Sequence, residues 1–240
     1  MSAHGRRHRE ALETVDRERE HAPAEAVALV KSLARAKFDE SVELHVRTGL
    51  NVRHADEQLR GTIALPNGLG KDVKVAVFAQ GEKAREAEQA GADVVGAEDL
   101  ARRIEEDGFD DFDVAIATPD LMSVVGRLGR ILGPSGKMPN PKVGTVTMDV
   151  AKAVEDSKSG KVEYRTDRTA IVHMVIGKAS FDEQRLLENY AAVVEELIRA
   201  KPSAAKGRYL CTITMTSTMG PGVKVDPTRT RDIVEEAAAA

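Results

Sequence analysis

The chain has 240 residues, 42% of them hydrophobic and 31% charged, which is enough for one large or two ordinary folded domains and argues against global disorder. A net charge of −4, an aromatic content of 3% and the lack of Trp give no support to a surface built on basic excess or on stacked rings. The single cysteine, Cys211, excludes an internal disulfide and a cysteine-cluster metal site.

The first 20 or so residues are charged and weakly patterned, and read as a frayed or partly helical arm. The opening MSAHGRRHREALE lacks the apolar core of a signal peptide. No apolar run nears the roughly 20 residues of a bilayer span, so a soluble cytoplasmic chain is expected. Pro23 suits a first helical turn, and Val27, Val30 and Leu33 have helical spacing within Ala24–Ala36. Ser41–Arg47 alternates Val42, Leu44 and Val46 against Glu43, His45 and Arg47, the pattern of a half-buried strand. Leu59–Leu65 is a second strand candidate.

After Pro66-Asn-Gly-Leu-Gly70 the style changes. Val73–Ala79 reads as a buried strand, followed by a helix to Ala90, a short strand at Ala92–Val95 and a helix over Glu98–Glu106. Asp113–Ala117 is another buried strand, and a helix is predicted from near Pro119 to Leu132. Strands alternating with helices imply a mainly parallel sheet covered on both faces. The two-faced style returns after Gly160, with strands at Lys161–Arg165 and Ala170–Ile176. Asp182–Ala200 carries the strongest helical stripe, from Leu186 through Leu187, Tyr190, Val193, Val194 and Leu197 to Ile198. Arg208–Thr218 then alternates again, with three threonines on one face.

The fold class expected is mixed α/β (α+β) in two domains. Residues 1–67 and 160–240 form a discontinuous, split α+β outer domain, and residues 68–159 form an inserted three-layer, Rossmann-like α/β domain. Paired linkers between them would permit one domain to swing on the other. The acidity sits in the middle, where residues 68–159 hold 12 Lys/Arg against 17 Asp/Glu. Between Leu197 and Val225 the charged residues Arg199, Lys201, Lys206, Arg208 and Lys224 are all basic.

Gly133-Pro-Ser-Gly-Lys-Met-Pro-Asn-Pro-Lys-Val-Gly144 packs three Gly and three Pro into twelve residues, too many for a helix or an interior strand. With Lys137 and Lys142 inside it and Arg127 and Arg130 upstream, it reads either as a rigid connector or as a loop that meets phosphate. Thr216-Ser-Thr-Met-Gly-Pro-Gly222 reads as a plain strand exit or as a hydroxyl-lined rim that RNA can approach closely. Phe38, between a helix and a strand, is either core or a wedge against a nucleotide.

Catalytic patterns are thin. Asn67-Gly-Leu-Gly-Lys-Asp72 precedes its strand and lacks the Ser/Thr of a phosphate loop. The six histidines show no metal spacing, His173 reads as structural, and Cys211 has no placed base. No enzyme, cofactor or metal is expected.

Five blocks in order carry a resemblance. They are Ala36–Glu43 (AKFDESVE), Ala117–Asp120 (ATPD), Val125–Pro134 with Met138–Thr145 (VGRLGRILGP, MPNPKVGT), Ile176–Phe181 (IGKASF) and Ser217–Pro221 (STMGP). Together, in register from Ala22 to Asp232, the sequence resembles the ribosomal protein L-one family in its bacterial form. The resemblance implies a split RNA-binding domain with a Rossmann-like insert, and binding to the large-subunit rRNA stalk. It also implies contact with exit-site tRNA, repression of the protein's own mRNA, and a place in the cytoplasmic ribosome as a chain that is monomeric when free.

By position, the resemblance assigns RNA contacts to Lys37, Phe38, Ser41 and Arg47, to Arg165 and Asp167, and to Thr212, Ser217, Thr218, Met219 and Gly220. Lys37, Arg47 and Arg165 would hold phosphates, and Asp167 would order an arginine or accept from a hydroxyl. Arg127, Arg130, Lys137 and Lys142 are secondary candidates. Two other classes remain open on sequence alone: an α/β enzyme with a nucleotide in the middle domain, and a repressor that never joins the ribosome.

Overall fold

A computed structural model describes residues 5–141, 143–203 and 205–229. In chain order its elements are α1 (Arg6–Thr14), α2 (Pro23–Leu33), β1 (Ser41–Thr48), β2 (Arg60–Ala64), β3 (Val75–Phe78), α3 (Glu82–Gln89), β4 (Val94–Gly96), α4 (Glu98–Asp107) and β5 (Val114–Ala117). There follow α5 (Met122–Val125), α6 (Gly129–Leu132), α7 (Val150–Lys158), β6 (Lys161–Arg165), β7 (Ile171–Lys178), α8 (Glu183–Arg199), β8 (Leu210–Ser217) and β9 (Val223–Val225). The chain divides into two compact units. A split unit takes the described residues up to Gly70 and from Tyr164 on, and a continuous unit takes Lys71–Glu163.

The split unit is built on an antiparallel sheet of order β7-β1-β8-β9. The first strand of the chain therefore lies between two strands from its far end. Leu44 pairs with Met174 on one side and Met215 on the other, and Val46 with Val172 and Ile213. All six side chains are buried, because period-two alternation puts every second residue on the same face. The helices α2 and α8 pack against that face and against each other. The α8 stripe from Leu186 to Leu197 is buried as the periodicity predicts, but Ile198, assigned to the same stripe, is exposed. It lies in the last turn of α8, next to the closing residue Arg199. Truncating a central residue such as Leu44 to Ala should cost about 2–5 kcal/mol, the range for a fully buried leucine.

A buried polar residue ties this unit together. The amide of Asn189 on α8 donates to the carbonyls of Gly68 (3.0 Å) and Ile176 (2.7 Å), and its oxygen accepts from the Asn67 N–H at 3.1 Å. Because every hydrogen-bonding position faces a backbone partner, full burial of this amide is stabilising instead of costly.

In the continuous unit the sheet is parallel, of order β4-β3-β5. Leu100, Ile104, Leu121, Val125 and Leu128 cover one face, with Phe78 and Ala117 beneath them. Ala87, Val150, Ala153 and Val154 cover the other, over Val75, Val77 and Ile116. The single helix predicted from Pro119 to Leu132 is instead broken: 3-10 turns at Pro119–Leu121 and Gly126–Leu128 alternate with the one-turn helices α5 and α6. Gly126 and Gly129 weaken the α-helical run there, since glycine loses about 1 kcal/mol relative to alanine in a helix.

The proline-rich segment is a clamp closing this unit. The Asn140 N–H donates to Thr145 Oγ1 (2.8 Å), while Thr145 O and Ala117 O accept from the N–H groups of Ala117 and Thr147 at the sheet edge. Helix α7, which sequence periodicity does not reveal, starts just after it, where the Asp149 side chain accepts from the Lys152 N–H.

Candidate nucleic-acid interface

Helices α2 and α8 cover one face of the four-stranded sheet, and the other face carries a half-exposed polar grid. Across β7, β1 and β8 it reads Ile171–Arg47–Thr212, then His173–His45–Thr214 and then Val175–Glu43–Thr216. Arg47 and Thr212, both exposed, stand side by side at one end. Ser41 begins β1 at the other, about 20 Å away at the usual rise per strand residue.

A rim forms at the Ser41 end. The loop Lys37–Glu40 and the turn after β8 meet there, held by a buried carboxylate. Glu40 is 2% exposed, and it accepts from the N–H groups of Ala36 (2.8 Å) and Met219 (2.9 Å). Burial alone would raise its pKa, but the backbone N–H groups of Met219 and Ala36 outweigh it and hold the carboxyl below the usual range. Thr218 bolts the turn to β1: its Oγ1 accepts from the Ser41 N–H at 2.9 Å, and its own N–H donates to Ser41 O. Lys178 donates to Ser41 Oγ at 2.9 Å, and Asp39 accepts from both the N–H and the hydroxyl of Ser180.

These fixed points have a consequence for two apolar side chains. Phe38 is 55% exposed and Met219 is 63% exposed, though the Met219 N–H is bound by Glu40 and Phe38 lies in the loop that Glu40 closes onto Ala36. They line one cleft of about 410 Å³ with Leu33, Ala36, Lys37 and Gly220. Large apolar groups held out into solvent on a rigid edge mark a contact surface. Gly220 is needed for close approach, because a Cβ there would lie 2.4 Å from Ser217 Oγ.

The structure thus brings Lys37, Phe38, Ser41, Thr218, Met219 and Gly220 together at the rim. Ser217 differs, since it is buried and shapes the turn from beneath instead of presenting its hydroxyl. Arg165 and Asp167 belong to a second, wider cleft of about 840 Å³ that also takes in Arg53, Gln58 and Arg168. Asp167 meets no arginine in the bonds it makes. Its carboxylate accepts from the N–H and hydroxyl of Thr169 and from the Ile171 N–H, and these outweigh the effect of burial and lower its pKa to about 2. It orders the turn into β7, where Ala170 takes a positive φ of 62°.

The secondary candidates lie in the continuous unit. Lys137 is engaged by the Asp110 carboxylate at 2.5 Å and lies over the Phe112 ring. Arg127 lines a small cleft with Glu98 and Glu105, Arg130 is exposed, and Lys142 lies outside the described residues.

Sequence reasoning missed four contributors. Glu40 and Asn189 could not be found by pattern, because their partners are up to 179 residues distant. Arg53 and Arg168 had a weak signal, as cations flanking residues already singled out. Among the described residues no three His, Cys, Asp or Glu side chains are grouped to hold a metal ion, and no helix is long and apolar enough to cross a membrane.

An open polar sheet face ending in an exposed apolar rim suits recognition of a partner. Residues 30–221 match the model of the Ribosomal protein L1p/L10e family. The sequence is also 61% identical over 228 residues to the large ribosomal subunit protein uL1 of Rubrobacter xylanophilus, covering 95% of this chain and 99% of that protein. The chain belongs to the L1p/L10e ribosomal protein family. Members of this family are structural proteins, so the chain is not an enzyme.

Proposed function

We propose that this chain is a structural protein of the large ribosomal subunit, residing in the cytoplasm within the ribosome, and that its split unit grips a stalk of ribosomal RNA. The observation that carries this reading is the pair Phe38 and Met219, exposed yet fixed at one edge by Glu40 and Thr218. A rigid rim loses little conformational entropy on binding, which offsets the lack of a basic excess. Phe38 offers a ring for a splayed base, while Ser41, Thr212 and Thr218 offer hydroxyls to 2′-hydroxyls and phosphates. Arg47, Arg165 and Lys37 supply the charge, with Arg53 and Arg168 extending it. Ser217 and Asp167 act on the RNA through the turns they shape.

Residues 1–67 and 160–240 are read as the RNA-binding domain and residues 68–159 as its insert, with a swing of one on the other. On the same reading the chain assists release of tRNA from the exit site and represses its own mRNA through a stalk-like shape. Free in solution it is a monomer.

Titration of a stalk RNA fragment tests the assignment. Met219→Asp puts an uncompensated carboxylate against the RNA backbone, and Thr218→Ala unbolts the turn. Both should weaken binding by at least about tenfold, the loss of one good contact. Unchanged affinity in both variants would remove the rim from the site.

A further inference from the structure

The open sheet face carries two histidines bonded to each other. His45 on β1 and His173 on β7 are direct cross-strand partners, and their Nδ1 atoms lie 2.9 Å apart with the rings edge to face. That is the distance of an N–H···N hydrogen bond, so one Nδ1 carries a proton and the other accepts it. Each Nε2 faces a carboxylate: that of His45 lies 3.7 Å from Glu43, and that of His173 lies 3.5 Å from Asp167. A carboxylate there favours an N–H on the Nε2 of both rings. Four nitrogens so placed need three protons. Two neutral imidazoles supply only two, which leaves either a bare Nε2 against a carboxylate or two bare Nδ1 lone pairs opposed at 2.9 Å. Two imidazoliums supply four and set two N–H groups head to head. Only the pair with one added proton satisfies every position.

We propose that His45 and His173 share one proton as a hydrogen-bonded imidazole–imidazolium pair, and that its single positive charge binds a backbone phosphate of RNA lying on the open sheet face. The phosphate contact rests on the reading of this face as part of the RNA surface; the shared proton does not. The surroundings give the charge its weight. On β1 the neighbours on the same face are Glu43 and Arg47, on β8 Thr214 stands directly across from His45, and beyond it on β9 is Lys224. The turn before β7 adds Asp167, and the β7 residues on either side of His173 on this face, Ile171 and Val175, are apolar. The two carboxylates offset the two cations, so the shared proton decides the sign of this part of the face. The His173 side chain is 51% exposed, which leaves the pair open to solvent and to a ligand. Burial, and then the charge of His173, lowers the pKa of His45 against the pull of Glu43, in keeping with a pair that takes a first proton and resists a second. Loss of the first proton as pH rises withdraws the charge and loosens the grip on phosphate.

Two measurements on the full chain test this. Nitrogen-15 NMR of the free protein follows the ring nitrogens of His45 and His173 against pH. The Nδ1 signals of both rings should move together in one step while both Nε2 atoms stay protonated, and His45→Gln or His173→Gln should replace that step by an ordinary titration of the ring that remains. Two independent steps, each unchanged when the other ring is removed, would overturn the shared proton. A stalk RNA fragment is then titrated with the chain about one pH unit below and above the step. Binding should be tighter below it, and the plot of log Kd against log salt should be steeper there by about one, the share of a single phosphate contact. Both differences should vanish in the double variant His45→Gln, His173→Gln and persist in His54→Gln, and bound RNA should move the step to higher pH. The same pH and salt dependence in the double variant would overturn the phosphate contact and leave the proposed function standing. No binding of the RNA at any pH would overturn both.

Discussion

Replacing Glu40 by alanine removes the acceptor on which two strands of the rim converge. Its carboxylate takes one hydrogen bond from Ala36 and one from Met219, inside a region where Glu40 is 2% exposed. Hydrogen bonds to a charged group contribute about 1.5–3 kcal/mol each, so losing both should cost about 3–6 kcal/mol. Glu40→Gln keeps one acceptor oxygen and turns an amide donor toward the other N–H, so it should cost about half as much. At about 2–4 °C per kcal/mol for a chain of this size, the alanine variant should melt roughly 10 °C lower, if the rim unfolds with its unit. Thermal unfolding followed by circular dichroism reads this, and stalk RNA binding reads whether the rim has loosened. The folded carboxyl is held below its unfolded value of 4.5, so its contribution is complete above that pH and fades as pH falls through the lower folded value. The difference in melting temperature between wild type and Glu40→Gln should therefore shrink in acid. Equal melting temperatures for all three proteins at neutral pH would refute this view of Glu40 as the rim's anchor.

Other expectations follow from the same geometry. Phe38→Ala should weaken stalk RNA binding by about 1–3 kcal/mol with no loss of melting temperature, since the ring is exposed and a base stacked on it contributes that much. Gly220→Ala should lower both stability and binding through the clash with Ser217 Oγ. Ser217→Ala in the same chain should restore them, because the next contact then lies at 3.6 Å; failure of the double variant to recover would locate the strain elsewhere. Asn189→Leu leaves three backbone groups of Asn67, Gly68 and Ile176 without their partner, and chemical denaturation should show a loss of at least about 2 kcal/mol. Asp167, with its pKa near 2, supports the turn into β7 above its unfolded value of 3.8, and loses that support as pH falls toward 2. In Asp167→Asn, hydrogen exchange at Thr169 and Ile171 should already be fast at neutral pH.

What the sequence revealed and what it hid divide along a physical line. β1 was legible as Ser41–Arg47 because one of its faces is buried and the other open, so Val42, Leu44 and Val46 alternate cleanly with polar neighbours. The α8 stripe was legible because a helix on one sheet face must show a single apolar side. Two elements were not legible. β9 is three residues long and follows Gly220-Pro-Gly222, too short for any period to show. The buried face of α7 is Val150, Ala153, Val154 and Ser157, too small and mixed a stripe beside the glycine- and proline-rich run. Phe38 could not be separated from a core phenylalanine by its neighbours, because exposure depends on what the distant turn at Met219 leaves open. The role of Glu40 was hidden for the same reason. A buried acid looks like a solvated one until its partners are known.

A matched pair of methionines tests the central claim most directly. Met219 on the rim and Met148 in the continuous unit are both largely exposed, at 63% and 54%. Each is changed to Asp in the full chain, and the variants are sedimented with large subunits stripped of this protein. The Met148→Asp chain should pellet with the subunits as wild type does, and the Met219→Asp chain should stay in the supernatant. Equal pelleting of both, or loss with Met148→Asp alone, would contradict the claim that the rim of the split unit grips the RNA.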